Sequence, residues 1–186
     1  MDRRIEDKSI LEKFVEDFVL IVEKYCKYVV VSGFVAISHG RTRGTEDIDM
    51  IIEKLSEHEF SMMHKNLLKN GFTCVQSDDV KDIYDYLKNK LSIRYVKNNT
   101  FVPEMELKFS KDLLDEYQIK TRKKLPLSGL DIYFSSIEAN IAFKEELLKS
   151  EKDIEDARHL RELYSDKLNK NEISKIKKEI RRLRLK

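Results

Sequence analysis

The chain has 186 residues, enough for one domain of ordinary size with a helical appendage. Apolar residues make up 41%, so a core can be buried, and charged residues reach 38% but cancel to a formal net charge of +2, which excludes a polyelectrolyte acting through bulk charge. Cys26 and Cys74 are too few for a disulfide framework or a zinc site, the start "MDRRIEDKSI" lacks an apolar signal core, and no run approaches the ~20 apolar residues of a membrane span, so a cytoplasmic protein is expected.

Ser9-x-x-Glu12 is a capping box, and Leu11, Phe14, Val15, Phe18, Val22 and Tyr25 follow at helical spacing. Tyr28 to Val31 is a continuous β-branched run, expected as a strand buried on both faces and ended by Ser32-Gly33. A short helix is expected over Phe34 to His39, a loop over Gly40 to Glu46, and a strand over Ile48 to Ile52. Ser56-x-x-Glu59 opens a helix that Asn70-Gly71 closes. A short strand at Phe72 to Val75, an amphipathic helix carrying Val80, Ile83, Tyr84 and Leu87, and strands at Leu91 to Val96 and Met105 to Phe109 come next. Leu130 to Phe134 reads as one more strand. From Ser135 on the pattern is helical, and Ser135-x-x-Glu138 reads as a third capping box. These elements predict an α/β or α+β core over residues 1–134 and a helical region over 135–186 packed on it.

One feature of this order carries chemistry. Residues i and i+2 of a strand share a face, so Asp47 and Asp49 project together while Ile48 and Met50 point the other way. Two carboxylates held so close repel unless a positive group lies between them. A divalent ion with oxygen preference suits the place, because Mg²⁺ is held by one or two carboxylates plus substrate phosphates. The bland alternative is a pair of acids neutralised by the loop arginines Arg41 and Arg43. Ser32-Gly33 upstream favours the metal, since small residues at a strand-to-helix step let a phosphate approach backbone amides.

These residues resemble a known family. "SGFVAISHGRTRGTEDIDM" is similar to the nucleotidyltransferase signature of a Gly-Gly or Gly-Ser step, a short helix, a loop and Asp-x-Asp. His39-Gly40, Arg43-x-Thr45 and Asp47-x-Asp49 fall in the register of the AbiEii-type branch. The chain departs from the pattern at Ser32, which stands where the first glycine of the pair is usual. The resemblance implies an α+β fold, a nucleotidyltransferase-like mixed β-sheet core flanked by helices, with a helical carboxyl-terminal part. It also implies transfer of NMP from an NTP to a hydroxyl of RNA, such as tRNA, or of protein, with Mg²⁺ or Mn²⁺ as cofactor. Asp47 and Asp49 would hold the metal, Ser32 and Gly33 would present the phosphate turn, and Arg43 and Thr45 would shape the loop beside it. Members are often toxins with a cognate antitoxin partner.

The fold usually supplies a third carboxylate from a later strand, and Glu106 in "PEMELKFS" is the candidate, as a metal ligand or proton acceptor. "SSIEANIAFKEELLKSEKDIEDARHL" also resembles the branch, which carries a lysine on one helix and Lys-Asp-x-x-Asp opening the next. This implies that Lys144 reaches a triphosphate and that Asp156 positions substrate or holds a basic partner. Solvated helix charges are the plainer reading of both. At the end, Ile173, Ile176, Ile180 and Leu183 form an apolar stripe on a basic helix, which suits a docked terminal helix better than an RNA-binding one. Two other functions compete with catalysis: a catalytically weak nucleotide-binding module of the same fold, and an RNA-binding protein acting through the basic tail.

Overall fold

The structure is a computed structural model; it describes residues 9–42, 44 and 47–185. Ser9 caps α1 (Ile10–Val22) through a capping box with Glu12, and the helix buries Phe14, Val15, Phe18, Val19 and Val22. β1 (Tyr28–Val31), α2 (Gly33–Ser38), β2 (Asp47–Ile52) and α3 (Glu57–Lys69) follow, the last opened by the expected Ser56–Glu59 box. Next come β3 (Phe72–Cys74), α4 (Val80–Lys88), β4 (Ile93–Lys97) and β5 (Glu104–Phe109).

The sheet has seven strands in the order β3-β4-β5-β2-β1-β7-β6. β2 lies at its centre, parallel to β5 and antiparallel to β1. Alternation divides the strands between two faces. Tyr28, Val30, Ile48, Met50, Ile52, Met105, Leu107 and Phe109 join Phe14, Phe18, Phe60 and Ile83 in the main core. Rings interlock there, with Phe18 edge-on to Phe72 at 5.1 Å and Phe60 edge-on to Phe109 at 6.4 Å. The opposite face carries a small apolar cluster of Val29, Val31, Ile51 and Ile119. The strand residues Asp47, Asp49, Glu104, Glu106 and Lys108 share that second face by register.

Between Phe109 and Leu130 the sequence reading places no element. The structure has α5 (Leu113–Lys120), β6 (Lys123–Lys124) and a 3-10 turn at Pro126–Ser128. Asp112 caps α5, accepting from the amides of Leu114 and Asp115 at 3.0 Å each. Its eight residues are too few to establish a periodicity, and Ile119 is its contribution to the second face. The strand expected over Leu130 to Phe134 shrinks to β7 (Tyr133–Phe134), because Leu130 and Ile132 turn into the core instead of pairing.

The third capping box is displaced by one residue. Ser136, not Ser135, caps α6 (Ile137–Phe143), accepting from the Ala139 amide at 3.1 Å. The Ser135 amide still donates to Val30 O at 2.9 Å, so residue 135 continues the pairing with β1 and its hydroxyl donates to Gln118. A π-helical turn over Lys144–Leu148 extends α6, closed by Lys149 in the left-handed region at φ +57°. Ser150 then caps α7 (Glu151–Leu163), and α8 (Lys170–Arg184) completes the chain. α7 packs on α2 and α6, and α8 packs on α6.

α8 sits by its isoleucines, as the stripe predicts: Ile173, Ile176 and Ile180 are buried in the main core. Its cations meet carboxylates, Lys177 with Glu145, Arg181 with Glu146 and Arg184 with Asp112 and Asp115. Ile180→Ala should therefore cost about 2–5 kcal/mol in urea denaturation, whereas exposed Lys178→Ala should stay within about 0.5 kcal/mol. Equal effects would mean that the stripe does not anchor the helix. Among the described residues no helix is long and apolar enough to cross a membrane. Both cysteines are free thiols, and burial pushes the Cys26 thiol up to about 12.

Candidate active site

β2 delivers Asp47 and Asp49 to the second face of the sheet, where Asp49 has Val31 of β1 on one side and Glu106 of β5 on the other. The neighbouring Ile48 and Met50 are wholly buried, so hydrophobic burial of one set of β2 side chains aims the carboxylates outward. Burial and the nearby Glu106 carboxylate raise the Asp49 pKa, and Asp47 adds to the rise. Lys108 and a hydrogen bond from the Ser32 hydroxyl oppose it without cancelling it.

Ser32 links β1 to α2 with φ +67° and ψ −137°, a conformation nearly reserved for glycine. This explains why glycine is usual at the position, and why serine there is a departure with a cost. Its hydroxyl reaches Asp49 in return. Ser32→Gly should be more stable than Ser32→Ala by about 1–3 kcal/mol in chemical denaturation, since both lose the hydroxyl and only glycine relieves the backbone. A more stable alanine variant would mean that the turn is unstrained.

A cleft of about 250 Å³ opens beside this turn, with Ser32, Asp49, Lys108, Lys111, Lys144 and Arg184 in its wall. Ser32, Asp49 and Lys144 thus share the cleft wall, while Asp47 and Glu106 lie beside Asp49 on the sheet face and Gly33 follows Ser32. Lys144 is fully buried and its ammonium donates to Asp156 at 2.8 Å and to Asp153 at 3.2 Å. Asp156, also fully buried, accepts from Arg41 Nε at 2.8 Å, and Arg41 reaches Glu155 as well. Arg41 therefore ties the loop after α2 to α7, and does not neutralise Asp47 or Asp49 as the bland alternative supposed. Arg43 and Thr45 lie outside the described residues.

His39 shapes this loop. Its Nδ1 bonds Val35 O at 2.6 Å, its Nε2 bonds the Tyr164 hydroxyl at 2.8 Å, and His159 Nε2 bonds its carbonyl at 2.9 Å. Burial is the main force holding the His39 pKa below its ordinary value, so the neutral ring donates from Nδ1 and accepts at Nε2.

Sequence reasoning missed Lys111 and Arg184 as members of the cleft, and gave Lys108 no role. Lys108 was detectable, being two residues from Glu106 on the same strand face. Arg184 was not, because its place depends on how α8 folds back across α5.

No protein-family model matches the chain, and no curated protein matches it in sequence. Solved structures are similar. One is the solution structure of the antibiotic-resistance factor ANT(2'')-Ia, with TM-score 0.53 and 13% identity, covering 92% of this chain and 91% of that one. Another is an antigenic nucleotidyltransferase-like protein from Paracoccidioides brasiliensis, with TM-score 0.50 and 17% identity, covering 95% of this chain and 90% of that one. The fold is nucleotidyltransferase-like. These neighbours carry the fold and do not distinguish the AbiEii-type branch.

Asp47, Asp49 and Glu106 offer hard oxygen donors on one face, and burial first, then Glu106, disfavours the ionised form of Asp49. Among the described residues no group of three or more acidic, His or Cys side chains is placed to hold a metal ion. Glu106 is also shared with Arg94, whose Nη2 is 3.6 Å away, while Arg94 Nε is 3.3 Å from Glu104. The donors fit an ion that completes its shell with phosphate oxygens and water, as Mg²⁺ does.

The direction of the Asp49 shift gives a pH test. With its folded pKa above the unfolded value, the folded state binds the extra proton in the interval between them. The Asp49 contribution to stability therefore falls as pH rises from about 3.8 through the raised pKa. Asp49→Asn should gain in stability over the wild type as pH rises through that interval, and Glu106→Gln should lower the Asp49 pKa in an NMR titration. A constant difference across pH, or an unmoved Asp49, would contradict the assignment.

Proposed function

We propose that the chain is a metal-dependent nucleotidyltransferase that moves NMP from an NTP to a hydroxyl of RNA or protein. The observation that supports this reading is the shared sheet face of Asp47, Asp49 and Glu106, with Asp49 and Ser32 in the wall of a cation-lined cleft. Asp47 and Asp49 would hold Mg²⁺ or Mn²⁺, which when bound supplies charge for the α-phosphate and leaving oxygens. Glu106, in register with Asp49, completes the donor set or takes the proton of the acceptor hydroxyl. The acceptor oxygen bonds the α-phosphorus as the bond to pyrophosphate breaks. Ser32 orients Asp49, and the Asp156 carboxylate holds Lys144 at the cleft and ties Arg41 to α7. Arg43 and Thr45 belong to the loop entering β2 by the motif alone.

The motif register supports a finer statement: an AbiEii-type enzyme of the cytoplasm, the toxin of a toxin–antitoxin pair, with residues 135–186 as a helical region on a core of residues 1–134. One observation favours the weak-module alternative. Arg94 lies against both Glu104 and Glu106, and a guanidinium there competes with a cation for the third carboxylate. The tail-driven RNA-binding alternative loses support because Lys177 and Arg181 are engaged by carboxylates.

The test incubates the protein with each α-labelled NTP, Mg²⁺ or Mn²⁺, total tRNA and a cell extract. Label joined to RNA or protein supports the enzyme. NTP binding without label transfer supports the module, and neither result would remove both.

A further inference from the structure

The resemblance assigns the triphosphate to Lys144, yet the Lys144 ammonium is buried and held by two carboxylates. The cleft has other cations. Lys108 follows Glu106 on the same face of β5, Lys111 lies just past the end of that strand, and Arg184 arrives from the last turn of α8. Among the described residues neither the Lys108 nor the Lys111 ammonium forms a salt bridge, and the Lys111 backbone amide donates to Asp115 Oδ2 at 3.1 Å. The three cations feel one another: desolvation first, then Arg184 and Lys108, lower the Lys111 pKa, against the pull of Asp115 and Asp112. Arg184 is also paired, by a fork on Asp112, 2.9 Å from each nitrogen, and by Asp115 at 2.6 Å, but its side chain stays 12% exposed where that of Lys144 is 1% exposed. Gln118 and Asn140 add polar side chains to the same wall.

We infer that Lys108, Lys111 and Arg184 form a seat for a linear polyphosphate, so that the last helix of the chain is part of the site. The inference rests on the nucleotidyl-transfer reading for the source of that group, an NTP triphosphate and the pyrophosphate it releases. A cleft of about 250 Å³ has the scale of a small ligand, and its cations gather beside Asp49 rather than along an open track for a nucleic-acid strand. Like charges held together against an apolar wall of Ile51, Phe143 and Leu147 favour a multivalent anion over a single phosphate.

Calorimetric titration of the full chain without metal tests this, using tripolyphosphate, orthophosphate and a single-stranded RNA oligonucleotide. Tripolyphosphate should bind at least tenfold more tightly than either of the others. Lys108→Gln with Lys111→Gln should weaken it at least tenfold, and Arg184→Gln severalfold. Asp49→Asn should tighten it by removing a negative charge from the wall, a change of sign that damage to the fold does not mimic. The inference is overturned if the double variant keeps wild-type affinity, if Asp49→Asn weakens binding, or if the three cations govern RNA binding alone. Wild-type protein that binds tripolyphosphate but transfers label from no NTP would retire the proposed function and leave this seat standing. Transfer with an unchanged KM for NTP in the double variant would retire the seat and leave the function.

Discussion

Asp49→Asn is expected to reduce nucleotidyl transfer by about a thousandfold or more in kcat/KM while the chain stays folded. Asparagine keeps the shape of the side chain and an acceptor for Ser32, but removes the charge that a divalent ion needs. Metal charge stabilisation contributes several kcal/mol, and about 4 kcal/mol corresponds to a thousandfold. The carboxylate itself does not stabilise the fold: burial and Glu106 disfavour its ionised form. The substitution should therefore raise the melting temperature at neutral pH while it removes activity. This opposition of signs is characteristic of a site where like charges are kept for a ligand. Radiolabel transfer and thermal melting on the same preparation check both halves. A variant that loses stability along with activity would mean that Asp49 is a structural residue.

Asp156→Ala is expected to have the largest effect on stability, about 3–5 kcal/mol in urea denaturation. Asp156 is fully buried and accepts from both Lys144 and Arg41. Its removal leaves the buried Lys144 ammonium with Asp153 as its remaining partner and releases Arg41 to Glu155. The loop after α2 would lose one of its ties to α7, keeping Arg41–Glu155 and the bond from His159 to the His39 carbonyl. Lys144→Met combined with Asp156→Ala should cost less than the sum of the single losses, because the pair's mutual interaction is lost in both single variants and would be counted twice. A single-variant loss under about 1 kcal/mol, or strict additivity, would show that the network is not an anchor.

Much of the fold was legible because burial and capping leave local signatures. Ser9-Glu12 and Ser56-Glu59 marked helix starts to the residue, and the alternation around Asp-Ile-Asp indicated which side chains of β2 face away from the main core. α5 and β6 were not legible, since eight- and two-residue elements show no period and are held in place by tertiary contacts with β1, β7 and α8. The Ser135 cap failed because pairing with Val30 O overrode the Ser135-x-x-Glu138 signal and left Ser136 to cap α6. At the site, Asp47, Asp49 and Ser32 were readable from one contiguous stretch, and Glu106 from strand alternation. Lys111 and Arg184 were not, because their meeting depends on the way α8 crosses α5. The positive φ of Ser32 was invisible as well: a serine in the sequence gives no sign that its backbone takes a conformation suited to glycine.

The central claim is that Asp47 and Asp49 bind a divalent ion together with the phosphates of an NTP. Anomalous scattering from Mn²⁺ in crystals grown with a non-hydrolysable NTP analogue tests it most directly. The expected result is a manganese peak ligated by Asp47 and Asp49 and by phosphate oxygens, next to Ser32 and inside the cleft. A nucleotide bound elsewhere on the chain, or a manganese peak away from both aspartates, would contradict it.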